Sequence, residues 1–308
     1  MRILLTGSRG MLGSSIKKHL NDPKFDLLSP TSADLNLLDG EAVHEYIKTQ
    51  KPDAVIHAAA RVGGIQANID SPYEFLTENI RMDSNLLSAS LEYKVPNLLY
   101  MASSCMYPRE TFQPMKESQI LTGALEPTNE GYALAKLVAT KTVELASNQY
   151  GLNWRSLILS NLFGPGDHFN SDKSHLLAAI ITKVEAAKRT NSPEITMWGT
   201  GNVRREFTYV EDVADFIATK IFSLKDLPAL LNIGLGQDYS VIEYYQMVAQ
   251  YAGYAGKITA DASKPEGMRQ KLMNIEVAQK LGWNPTTNMT DAIAKTYDWY
   301  IDSMRGNI

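Results

Sequence analysis

Cysteine is almost absent from this 308-residue chain, which has one, Cys105. A single thiol closes no internal disulfide, which excludes a disulfide-stapled secreted scaffold and fits a reducing compartment. Long apolar runs are missing too. No stretch reaches the roughly 18 apolar residues of a membrane span, and the apolar start is cut short by Gly7 before a secretory core can develop. A cytoplasmic protein without a membrane partner is expected. Basic charge is not in excess: 30 Lys+Arg against 34 Asp+Glu give a net charge of −4, so no broad positive field exists to hold a nucleic-acid backbone. The chain also lacks solenoid repeats, low-complexity tracts and blocks of like charge, and with them any sign of a tethering tail.

What remains is an ordinary globular composition, 44% hydrophobic and 21% charged, at a length that favours two domains. Short β-rich runs at 2–6, 25–28, 54–57, 97–102 and 155–159 alternate with helical patterns at 13–20, 41–49, 72–93 and 133–150. That alternation predicts an α/β fold, a Rossmann-type doubly wound parallel sheet, with ligands bound outside the carboxyl ends of its strands. After Gly164-Pro165-Gly166 the rhythm loosens. Residues 1–165 are therefore expected to form a nucleotide-binding domain, and 166–308 a smaller substrate-binding α/β domain with some segments crossing back to the sheet.

Gly7-Ser8-Arg9-Gly10-Met11-Leu12-Gly13 follows an apolar strand and opens a helix. Glycines in that setting permit a tight turn and let backbone approach a pyrophosphate at the positive end of the helix. The second strand ends in Leu28-Ser29-Pro30-Thr31-Ser32, with no acid to bind a ribose 2′-hydroxyl. Hydroxyls there, with Arg9 as the nearby charge, favour NADP. Asp39 is either an adenine contact or the N-cap of the next helix.

Tyr132 and Lys136 are four apart at the start of a helical stretch, which puts phenol and ammonium on one face. A cation beside a phenol favours phenolate and moves its pKa towards the working range of an acid–base catalyst. Ser103 falls where the fourth strand should end, beside the same crevice.

These motifs together resemble the extended short-chain dehydrogenase/reductases, and within them the group that epimerises GDP-4-keto-6-deoxymannose at carbons 3 and 5 and reduces it at carbon 4 to GDP-L-fucose. The resemblance is carried by Ala58 to Ile65, Ser103-Ser104-Cys105-Met106-Tyr107-Pro108, Asn161-Leu162-Phe163-Gly164-Pro165, Ser174-His175, Trp198-Gly199-Thr200-Gly201 and Arg205-Glu206-Phe207. Dehydratase relatives would carry a threonine-aspartate-glutamate run where Ser104-Cys105-Met106 stands. The resemblance implies Cys105 as the base and His175 as the acid of epimerisation, and Tyr132 as the proton donor of reduction with Ser103 and Lys136 beside it. It also implies cofactor contacts from Ala102, Ser103, Ser104, Lys136, Leu159, Ser160, Asn161, Leu162 and His175, in addition to the glycine loop and Asp39. Lys183, Trp198 and Arg205 are implied contacts of the GDP-sugar, and a homodimer formed through a helix bundle is implied as the assembly.

Some positions depart from the group's pattern. Pro30 and Ser32 stand where arginines commonly meet the 2′-phosphate, Leu159 replaces a proline, and the run 264–271 replaces an Asp-Gly-Thr-Pro-Arg-Lys segment. Two other readings therefore stay open: a reductase of a related GDP-4-keto-6-deoxy sugar such as a heptose, with or without epimerisation, and a non-catalytic NADP-sensing protein.

Overall fold

A computed structural model of the chain describes residues 1–169, 174–264 and 267–306, so Pro265 and Glu266 of the divergent run lie outside the described residues. The apolar runs become the strands of one sheet: β1 (Arg2–Thr6), β2 (Asp26–Leu28), β3 (Ala54–His57), β4 (Asn97–Ser103) and β5 (Asn153–Leu159). Ile3, Leu4 and Leu5 of β1 and Ala54, Val55 and Ile56 of β3 are fully buried, as strands covered on both faces must be. A sixth strand, β10 (Leu230–Ile233), returns from late in the chain to pair with β5, and the order is β10-β5-β4-β3-β1-β2, every pairing parallel. The chain reverses direction across the sheet between β1 and β3, the point at which such sheets open a binding crevice.

The helices between these strands are α1 (Met11–His19), α2 (Gly40–Gln50), the short α3 (Ile65–Asp70), α4 (Pro72–Glu92) and α5 (Glu130–Tyr150). Helix α4 lies between α2 and α5, while α1 packs against α7 (Val210–Lys220), giving the two helical layers of a doubly wound fold. The sheet core also takes Phe216, Leu231, Ile233 and Trp283 from the second half of the chain; Trp283 Nε1 donates to the Gly234 carbonyl at 2.7 Å.

A second core forms around Leu177, Ile181 and Val184 of α6 (Leu176–Arg189), Tyr244 and Val248 of α8 (Val241–Ala252), and Ile293 and Tyr297 of α10 (Met289–Met304). Small strand pairings frame it. They join β6 (Asn161–Phe163) to β9 (Phe207–Tyr209), β7 (Glu194–Trp198) to β12 (Lys257–Asp261), and β8 (Arg204–Arg205) to both β11 (Tyr239–Ser240) and β13 (Gln270–Lys271). Helix α9 (Glu276–Lys280) packs near β10. Among the described residues no helix is long and apolar enough to cross a membrane, and no cluster of potential metal ligands occurs.

Candidate active site

The glycine loop sits at the β1–β3 reversal. Gly7 has φ +71°, and a Cβ there would lie 2.6 Å from the Ala58 carbonyl carbon after β3; a Cβ on Gly13 would lie 2.0 Å from the Gly7 oxygen. Only glycine fits either place. Gly10 is the N-cap of α1 with no side-chain cap, and the helical bonding begins with Ser14 N–H to the Gly10 carbonyl. The Met11, Leu12 and Gly13 amides are therefore left for an external acceptor, which is the cradle a dinucleotide pyrophosphate requires. Arg9 is exposed at its rim.

Ser8 is buried and donates its hydroxyl to the Ser29 carbonyl at 3.3 Å, tying the loop to the end of β2. There the Thr31 hydroxyl is donated to Asp34 Oδ2 at 2.7 Å. Asp39 caps α2, its Oδ1 accepting the Ala42 N–H at 3.1 Å.

Strand β4 ends at Ser103 and the chain turns at once into a single 3-10 turn, Ser104–Met106. The tightness of that turn brings Cys105 back over Ser103: Ser103 Oγ and Cys105 Sγ are 2.8 Å apart, and the Cys105 N–H also points to Ser103 Oγ at 3.3 Å. From α5, Tyr132 reaches the same serine with its hydroxyl. One turn on, Lys136 is 2% exposed and donates from Nζ to the Met101 carbonyl at 2.9 Å, its ammonium 5.8 Å from the Tyr132 ring centroid. Ser103, Cys105, Tyr132 and Lys136 are thus one cluster at the end of β4, with Ala102 and Ser104 buried beneath it.

The electrostatics differ from the expectation that Lys136 draws Tyr132 towards phenolate. Burial, then the charges of Cys105 and Asp83, push the phenol well above its ordinary pKa, with only the Ser103 hydrogen bond acting downward. Burial likewise lowers the Lys136 pKa, opposed by Asp83 and Cys105. A phenol held neutral is suited to give a proton rather than take one.

His175 stands on another element, as the N-cap residue of α6. Its Nδ1 lies 3.4 Å from Asp167 Oδ1, and this hydrogen bond raises the imidazole pKa against the opposing effect of burial. The preceding residue, Ser174, brings its carbonyl to the loop after β3, where a Cβ on Gly64 would be 3.1 Å away. Among the described residues no hydrogen bond links His175 to Cys105 or Tyr132.

At the end of β5, Leu159 and Ser160 are buried, Ser160 Oγ is 2.6 Å from Thr208 Oγ1, Asn161 donates to the Glu206 carbonyl at 3.3 Å, and Leu162 packs on the sheet core. These side chains are committed to packing, which leaves backbone as their route to a ligand. Lys183 Nζ donates to the Thr196 carbonyl at 3.0 Å, across from the strand that ends in Trp198. The bland alternative of Trp198 as a core residue is overturned, since it is 61% exposed. Arg205 is half-buried and donates to the Arg204 carbonyl at 2.8 Å.

Three residues at the site escaped sequence reading. Asp167, which orients His175, follows the Gly164-Pro165-Gly166 turn, and that placement was its only signal. Lys271 is aligned with Arg205 by the β13–β8 pairing, and its ammonium is within electrostatic reach of Cys105, Arg205, Glu126 and Glu206. Glu206 is 2% exposed and accepts the Gly236 and Met273 N–H groups at 2.6 and 2.9 Å; burial raises its pKa to about 7. An acid so deep gives no periodicity signal.

Residues 3–234 match the profile of the NAD dependent epimerase/dehydratase family. The chain is 41% identical to a GDP-L-colitose synthase of Yersinia pseudotuberculosis, covering 98% of each chain, and 42% identical to a GDP-L-fucose synthase of Azorhizobium caulinodans, covering 97% of this chain and 96% of that one. Its fold superposes with a TM-score of 0.88, at 30% identity, on a GDP-mannoheptose C4 reductase from Campylobacter jejuni with NADP bound, covering 97% of this chain and 98% of that one. This kinship bears out the α/β fold and the resemblance drawn from the motifs, and it sets the non-catalytic sensor aside. The chain belongs to the NAD dependent epimerase/dehydratase family, as an enzyme.

Proposed function

We propose that the chain is an NADP(H)-dependent epimerase/reductase of a GDP-4-keto sugar, converting GDP-4-keto-6-deoxymannose to GDP-L-fucose by inversion at carbons 3 and 5 and reduction at carbon 4. The observation that carries this reading is the cluster at the end of β4, where a thiol lies 2.8 Å from the serine that also meets the Tyr132 phenol. A reductase alone needs the serine, tyrosine and lysine; a thiol in hydrogen-bond contact with that serine adds a group able to remove a proton beside the carbonyl.

In the proposed sequence Cys105 takes the proton from the carbon next to the ketone, and His175, kept protonated by Asp167, returns one from the other face. Ser103 and Tyr132 hold the oxygen as negative charge develops on it. NADPH, when bound, supplies the hydride for carbon 4. Tyr132 then protonates the oxygen, and Lys136 holds its charge beside the phenol and offers donors to the cofactor ribose. The glycine loop, Asp39, the Ala102–Ser104 backbone, the 159–162 backbone and the neighbourhood of His175 make the cofactor side of the cleft. Lys183, Trp198 and Arg205 make the GDP-sugar side, where an exposed indole can stack on guanine and a guanidinium fork suits the diphosphate.

The sheet domain, 1–165 with the returning segments, is the cofactor half, and the remainder of 166–308 the substrate half. The exposed stripe Leu134, Val138 and Leu145 on α5 supports pairing of two copies into a homodimer, and the same reading places the enzyme in the cytoplasm.

The decisive experiment is product analysis from a panel of GDP-4-keto-6-deoxy sugars with NADPH in heavy water. Deuterium at carbons 3 and 5 together with NADPH oxidation is the expected result, and reduction without isotope uptake would remove Cys105 and His175 from the chemistry. A second reading, the same reaction class on a related GDP-4-keto sugar, draws on the near-equal identity to a colitose synthase and a fucose synthase and on the heptose reductase fold. The same panel decides it by which sugar turns over.

A further inference from the structure

Behind the Tyr132–Lys136 pair lies a chain of buried polar side chains with no part in the steps above. Thr6 Oγ1, at the end of β1, is 2.7 Å from His57 Nδ1; His57 Nε2 is 2.9 Å from Asp83 Oδ1; Tyr100 donates its hydroxyl to Asp83 Oδ2 at 2.8 Å. All four residues are at most 3% exposed. Both oxygens of Asp83 are satisfied, but a carboxylate this deep also calls for a balancing charge. Among the described residues its one ion-pair contact is His57, an imidazole that balances the carboxylate only when protonated, and no lysine or arginine touches it.

The cation within reach is Lys136. Its Nζ stands 4.5 Å from the centroid of the same Tyr100 ring whose hydroxyl binds Asp83. The ammonium itself donates to the Met101 carbonyl, which carries no net charge to balance it. Neither group therefore has a permanent opposite charge in direct contact.

The groups facing Asp83 come from β3 (His57), β4 (Tyr100) and α5 (Tyr132 and Lys136). Cys105 acts on Lys136 from the turn after β4. Helix α2 turns His44 to Ser88 and Glu92 at the far end of α4, and on α4 itself Glu78 is paired with Arg61 while Arg81 is exposed.

We propose that Asp83 is a positioning residue of the reduction: its carboxylate, fixed by Tyr100 and His57, is the counter-charge that keeps the Lys136 ammonium charged beside Tyr132. This rests on the roles given above to Tyr132 and Lys136. The direction of the electrostatics agrees, since Asp83 acts on Lys136 against the downward pull of burial. Loss of that carboxylate lets the ammonium discharge at lower pH.

Asp83→Asn keeps the shape and an acceptor for Tyr100 while removing the charge. Lysine side-chain NMR on the cofactor-free protein, with the Lys136 signal assigned by its loss in Lys136→Met, should show the Lys136 titration midpoint falling by about one pH unit. In Tyr100→Phe, which keeps the carboxylate, the midpoint should stay near that of the unsubstituted protein. The alkaline limb of kcat for NADPH oxidation should move down with the midpoint in Asp83→Asn. An unmoved midpoint overturns the proposal, and so does a fallen midpoint with an unmoved limb.

If Asp83→Asn does not fold, the double variant Asp83→Asn/Lys136→Met decides: recovery of the fold on removing both charges supports the pairing, and no recovery overturns it. Failure of the proposed reaction would look different. It would appear as no NADPH oxidation by the unsubstituted enzyme on any sugar, with the NMR comparison still deciding the counter-charge.

Discussion

Ser103 Oγ stands 2.8 Å from Cys105 Sγ, closed by one 3-10 turn at the end of β4. The contact makes the serine a hub shared by thiol and phenol, so the two halves of the proposed reaction should be separable by substitution. Cys105→Ser is expected to lower deuterium uptake at carbons 3 and 5 by about 100-fold or more while NADPH oxidation persists on a 4-keto sugar already inverted at both carbons. Mass spectrometry of the product from heavy water reads the first, and absorbance at the nicotinamide band reads the second. Equal loss of both would mean that the thiol acts through the fold and not on the sugar.

Tyr132→Phe should have the opposite profile. Burial keeps the phenol neutral, so its loss removes the proposed proton donor of the reduction, expected to cost about 10²- to 10⁴-fold in hydride transfer. NADPH affinity, followed by fluorescence, should change little, because the glycine loop and Lys136 are untouched. Isotope exchange into the keto sugar should continue at a reduced rate, since Ser103 still faces the oxygen.

Asp167 raises the pKa of His175 by its hydrogen bond. The imidazole therefore stays protonated to higher pH than an ordinary histidine, and Asp167→Asn should move the alkaline limb of isotope exchange to lower pH. The sign for stability follows the same shift. A raised native pKa contributes stability that is full below the unfolded histidine value of about 6.5 and is lost as pH climbs through the raised value. The melting temperature of Asp167→Asn should thus fall most below pH 6 and least above pH 8. A uniform drop across that range would place the effect in packing.

Gly13→Ala puts a methyl 2.0 Å from the Gly7 carbonyl oxygen, and backbone faces it on every near side. The loop must open to accept it. Overpacking of this kind costs about 1–3 kcal/mol, and NADPH titration should show affinity loss well beyond what the drop in thermal stability accounts for. Gly10→Ala is the control: its Cβ would lie 3.4 Å from the Gly7 oxygen, so it should bind NADPH more tightly than Gly13→Ala.

The strands of the sheet were legible because a parallel strand buried on both faces writes an unbroken apolar run: 54–57 is β3 to the residue. Tyr132 and Lys136 were legible because helical spacing is arithmetic. Their electrostatics were not, since burial outweighs a neighbouring charge and burial depends on what packs over α5. Asp83 sits on the inward stripe of α4 with Phe75, Asn79, Leu86 and Leu87, where a lone acid reads as an interruption of the pattern. Its meaning appears only when β3 and β4 bring His57 and Tyr100 to it. The short strands β6, β8, β9, β11 and β13, two or three residues each, carry no period to detect.

Because β10 closes the β5 edge after a detour of some seventy residues through the other core, the chain cannot be divided at Gly164-Pro165-Gly166 into pieces that each stand alone. A fragment stopping there would present β5 as a bare, flat, apolar margin, an invitation to pair with its own copies. The two cores are sewn together by a late stitch, and during synthesis the N-terminal sheet must wait for its final border until most of the polypeptide has emerged.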